Sequence, residues 1–147
     1  MKYEEVLEHL SPCGLDCGRC ADFANSQIRS LSQQLLQLLA GYERVAQMKS
    51  DNNSLFNNYN HFKDILSSFA EGPCGGCRSN NVRCPIVCEA KTCHREKKVD
   101  FCFQCEEYPC ERQFTGAMRE RWIQRNNRLK EVGAIEFYRE QKKIPRY

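Results

Sequence analysis

A chain of 147 residues with 28% charged residues and a mean hydropathy of −0.69 has the length of one domain and a modest apolar core. Eleven cysteines make up part of its 41% hydrophobic residues, and no apolar run approaches the length of a membrane span. The formal net charge of +3 counts every cysteine as neutral; a Zn²⁺ ion held by four thiolates carries −2, so the basic balance does not by itself point to nucleic acid.

The first residues, MKYEEVLEHLSPC, are acidic and amphipathic and lack the basic start and apolar stretch of a secretory signal. The expectation is a cytoplasmic, reducing location, where thiols stay free. Residues 2–9 predict a short helix. Ile28, Leu31, Leu35, Leu38, Leu39, Tyr42 and Val45 recur with helical period, predicting one helix from Ser26 to about Lys49, capped by Asn25 or Ser26. KSDNNS at 49–54 is a linker. Leu55, Tyr59, Phe62, Ile65, Leu66 and Phe69 predict a second helix, ended by Gly72 and Pro73. Together these form a helical hairpin over 26–70.

Residues 73–111 show neither helical nor strand period and read as loops. Helical pattern returns from Gln113 to Lys130, with Phe114, Met118, Trp122 and Leu129 on one face and Arg125 within that stripe. Gly133 breaks it, and a short helix carries Ile135, Phe137 and Tyr138. The fold class is mainly α, a single cysteine-rich domain over 1–147 with little or no sheet.

The cysteines run C13-x3-C17-x2-C20, C74-x2-C77, C84-x3-C88-x4-C93 and C102-x2-C105-x4-C110. A C-x2-C turn brings two thiolates to one metal ion, and a structural zinc site takes two such pairs. The odd count excludes a fully paired disulfide set within one chain. Cys13, Cys17, Cys20, Cys74, Cys77, Cys84, Cys88, Cys93, Cys102, Cys105 and Cys110 are therefore all candidate metal ligands. Two four-cysteine zinc sites with spare cysteines are the main reading. Three ions, with His94 as twelfth ligand, are the alternative, although Cys93 and His94, as neighbours in an extended segment, would point apart. Gly75 and Gly76 suit a tight knuckle with backbone N–H groups aimed at sulfur.

C-x2-C units also hold iron–sulfur clusters, so an electron-transfer protein is the alternative function. The first cluster has the cysteine spacing of radical SAM enzymes, but their alternating strands and helices are missing here. His9 and His61 read as ordinary helix residues. Asp16, Glu106 and Glu107 read as solvated loop carboxylates, and no nucleophile–base pair is legible. Residues 112–147 hold ten Lys/Arg against four Glu, a net of +6, which leaves −3 for residues 1–111. An unidentified protein or nucleic acid would meet these basic C-terminal helices, at Arg121, Arg125 and Arg128; no membrane partner is expected.

SPCGLDCGRCADF, GPCGGCRSN and CFQCEEYPCE together resemble the prokaryotic cysteine-rich family described as domain of unknown function 3795. The resemblance implies a zinc-binding-like protein with no assigned activity. It carries over Cys13, Cys17, Cys20, Cys74, Cys77, Cys102, Cys105 and Cys110, while the Cys84, Cys88, Cys93 stretch matches less cleanly.

Overall fold

The computed structural model describes residues 1–147 as seven α-helices with three short 3₁₀ turns and no sheet. The mainly α expectation holds. Helix α1 spans Tyr3–His9, α2 Gln27–Leu38, α3 Glu43–Ser50, α4 Tyr59–Glu71, α5 Ala90–Glu96, α6 Gly116–Val132 and α7 Ala134–Lys142. None is long and apolar enough to cross a membrane.

The helix expected over 26–49 is two helices. Ser26 does cap the first, its Oγ accepting from the Arg29 N–H at 3.1 Å. The break falls at Gly41, which has φ +79°, a left-handed conformation that other residues adopt only at a cost. The chain turns there, and α3 leaves the line of α2. The second predicted helix opens with a 3₁₀ turn, Ser54–Asn58, before α4. Helices α2 and α4 pack as the expected pair. Arg29 on α2 ties them at their base, donating to the Ala70 and Ala24 carbonyls.

The stretch 73–111 is not wholly loop, because it contains α5. Only Ala90 and His94 of α5 are buried, so a seven-residue helix with one buried i, i+4 pair offers too little periodicity to detect.

The apolar face of α6 also differs from expectation. Phe114 lies before the helix with φ +55°, and Met118 is half exposed. The buried stripe is Trp122, Asn126 and Leu129. Its two ends serve two cores. Leu129 packs with Val6 and Leu10 beside α1, Phe101, and Phe137 and Tyr138 of α7. Trp122 packs with Cys13 and Ala90, ringed by Cys88, Cys102, Tyr108, Cys110 and Phe114.

This placement orders the costs of truncation. Leu129→Ala, at a fully buried site, should lower unfolding free energy by about 2–5 kcal/mol. Met118→Ala should stay within about 0.5 kcal/mol. Urea denaturation followed by circular dichroism measures both.

Candidate functional site

All eleven cysteines are free thiols. They arrive on short connections rather than on the long helices. Cys17 starts a 3₁₀ turn, Cys17–Arg19, and Cys102 starts another, Cys102–Gln104, with Cys20 and Cys105 closing them. In each, the second cysteine's N–H donates to the first one's carbonyl, at 2.9 and 3.1 Å. This is the tight-turn geometry the C-x2-C spacing predicts. The third pair sits where residues 73–77 run beside 22–24: the Cys74 N–H donates to the Asp22 carbonyl and the Ala24 N–H to the Cys74 carbonyl. Two backbone N–H groups point at the Cys74 sulfur, Gly76 at 3.4 Å and Arg83 at 3.3 Å. The predicted knuckle, with its glycine N–H on sulfur, is present.

The sulfurs form two neighbourhoods that meet at Trp122; the first crosses the sequence pairs, and the second keeps Cys102 with Cys105. In the first, the Cys17 and Cys77 thiols interact directly. That contact brings Cys17 down to about 7 against the cost of its burial, with a smaller contribution from Ser11. It pushes Cys77 up, helped by burial and by the charges of Cys17, Cys13 and Cys88. The Ser11 hydroxyl lies 3.1 Å from the Cys13 sulfur. Cys84 and Cys88 feel the same group, but burial is the larger cause raising each.

In the second neighbourhood Cys93, Cys102, Cys105 and Cys110 line one cavity of about 30 Å³ with His94 and Trp122, room for about one water-sized occupant. Burial pushes Cys102 up to about 12 and raises Cys93. Cys93 and His94 do not point to opposite sides, because they sit on α5 rather than on an extended segment. His94 is buried, its Nε2 has no partner, and burial lowers its basicity. Cys20 lies beside the Tyr147 hydroxyl.

Two buried N–H donors belong to this site, although spacing gave no sign of them. The side-chain nitrogens of Gln113 and Trp122 have no hydrogen-bond partner. Each lies instead against a sulfur and favours its ionised form, Gln113 at Cys88 and Trp122 at Cys102. Gln113 is fixed in place by its Oε1, which accepts from the Glu89 N–H at 2.9 Å. A buried donor without a partner costs about 1–3 kcal/mol, and a thiolate in each place would relieve that cost.

No three Cys, His, Asp or Glu side chains converge as a finished metal centre. The donors are of the right type and grouped, but not closed on one point. Asp16 is not a solvated carboxylate: it is buried and paired with Arg19 at 2.5 Å. Glu107 is exposed and paired with Lys97 and Arg112. Of the basic face, Arg128 is engaged by Glu131 and Glu140, while Arg121 and Arg125 have no carboxylate partner.

The chain belongs to the family described as protein of unknown function (DUF3795), whose model matches residues 9–115. All eleven cysteines fall within the matched residues, and α6 and α7 fall outside them but for the loop before α6. Comparison with curated proteins and with solved structures gave no match.

The first cysteine turn depends on a close approach. A Cβ on Gly18 would stand 2.4 Å from His9 Nδ1, and the His9 ring cannot simply swing away, since it stacks on Tyr138 at 5.4 Å. Gly18→Ala should destabilise the protein by about 1–3 kcal/mol. The same substitution in a His9→Ala background should cost less than half as much, as a double-mutant cycle by thermal unfolding would measure.

Proposed function

We propose that this member of the family is a structural metal-binding protein holding Zn²⁺ in its two thiol neighbourhoods, and that it acts as an interaction module rather than as an enzyme. The supporting observation is the pair of partnerless buried N–H donors, Gln113 and Trp122, each set against a cysteine sulfur. Donors so placed would stabilise metal thiolates, whose sulfurs accept more strongly than those of neutral thiols.

Cys13, Cys17, Cys77 and Cys88 would hold one ion, with Cys84 in reserve. Cys93, Cys102, Cys105 and Cys110 would hold the other, with His94 as a further donor. Each thiol has one rotatable bond that swings its sulfur, and closing either set on one ion starts from sulfurs that do not yet converge. Zinc here would supply cross-links: its binding energy becomes folding energy in segments that bury little apolar surface. Burial raises Cys84, Cys88, Cys93 and Cys102, and coordination would overcome that cost by fixing the charged form.

Elemental analysis of anaerobically purified protein should find two zinc ions per chain, three at most. Iron with inorganic sulfide, and a brown colour, would replace this reading with electron transfer. Acid and chelator should then unfold 73–111, seen as loss of dispersed amide signals, while α2 and α4 persist in part. Native-like signals from 73–111 without metal would refute the cross-linking role.

A further inference from the structure

Beside the first thiol neighbourhood, α6, α7 and the tail enclose a cleft of about 430 Å³. Five arginines line it, Arg19, Arg121, Arg125, Arg128 and Arg146, against one carboxylate, Asp16. Two of these charges are used within the chain. Arg19 pairs with Asp16 and donates to the Ile144 and Gln141 carbonyls, and Arg128 is held by Glu131 and Glu140.

The other three have no counter-ion. Arg146 donates its Nε–H to the Asp16 carbonyl at 2.8 Å and lies over the Tyr147 ring at 5.1 Å. Arg125 is half-buried, its stem lying 3.3 Å from where a Cβ on Gly14 would stand. Burial lowers its basicity, and Arg146 and Arg121 lower it further by repulsion. Three guanidinium groups thus crowd one concave site, one of them desolvated and none paired with a carboxylate. Such an arrangement is unfavourable unless something negative completes it.

We infer that this cleft is a binding site for a small oxyanion-bearing molecule, with Arg121, Arg125 and Arg146 gripping a phosphoryl or carboxylate group. Guanidinium forks match oxyanions bidentately. The cleft has the volume of a small-ligand pocket, and Phe137, Ile144, Pro145 and Leu15 give it an apolar wall for the rest of the ligand. The inference stands apart from zinc, since it uses none of the proposed ligands. The competing use of these arginines is as counter-charge to Cys13 and Cys17, which Arg125 also feels.

Titration calorimetry on the full metal-loaded chain, with inorganic phosphate and with pyrophosphate as probes, tests it. One saturable site is expected. The double substitution Arg121→Gln with Arg146→Gln should weaken it at least tenfold, while Lys130→Gln, outside the cleft, leaves it unchanged. Metal content and thiol reactivity should be the same in all three proteins. No saturable binding at millimolar probe, or binding untouched by the double substitution, overturns the inference. So does a double variant that loses metal, which would make the arginines counter-charge to the thiols. Binding confined to nucleic acid and falling steeply with salt would replace the cleft by an extended basic surface.

Discussion

The indole of Trp122 is the surface on which the cysteine segments are assembled. Cys13 from the first cluster, Cys88 beside α5, and Cys102 and Cys110 from the last all pack around it. Its neighbour one turn on, Asn126, reaches the first cluster directly, its Nδ2 donating to the Cys13 carbonyl at 3.0 Å. A helix outside the cysteine region therefore supplies the platform that the region itself lacks. Loops rich in Gly, Pro and Cys bury little apolar surface and cannot offset their own ordering entropy. Packed against one large ring, they need only a few further constraints to become a defined arrangement.

Those constraints are polar. Arg78 links three segments: its Nε and Nη2 donate to the Leu7, Leu10 and Asp100 carbonyls, and its guanidinium lies 5.3 Å from the centre of the Phe101 ring. Arg119 closes the last cluster by donating to the Cys110 and Gln113 carbonyls. In a well-packed α protein most carbonyls are satisfied by helices; here arginines satisfy the carbonyls of irregular backbone. Much of the basic composition of this chain is consumed in that way. The uneven charge along the sequence, which suggests an external anionic partner, is thus partly internal architecture.

The parts legible in the sequence were those with a period. Helices α1, α2, α4, α6 and α7 follow from apolar spacing, and Ser26, Gly72 and Gly133 mark their ends as cap chemistry predicts. The tight cysteine turns follow from C-x2-C, and family membership follows from the cysteine motifs. What stayed hidden depends on contacts between distant residues. The approach of Cys17 to Cys77 spans a hairpin insert, and no local rule couples them. Helix α5 has one buried pair and no stripe. Asp16 looks like a loop residue until the loops close over it, and Gln113, expected to open a helix, lies before α6 with its side chain buried. Gly41 gives no warning, because an isolated glycine inside a helical pattern is usually tolerated at a modest cost.

Two sets of side chains in this molecule are held where ionisation is resisted. In one, thiols are held where burial resists their ionisation; in the other, guanidinium groups are held where burial and mutual repulsion resist theirs. Neutral buried thiols cost little, whereas an unpaired buried guanidinium costs several kcal/mol, so the arginine set carries the larger penalty. Partial mutual compensation is possible only at Cys13 and Cys17, the cysteines whose charge Arg125 feels. Cys93, Cys105 and Cys110 line the far cavity, away from the arginine cleft. The second thiol neighbourhood instead has Lys97 and Arg112 in its lining, so a thiolate at Cys93 would meet a cation that the chain itself supplies.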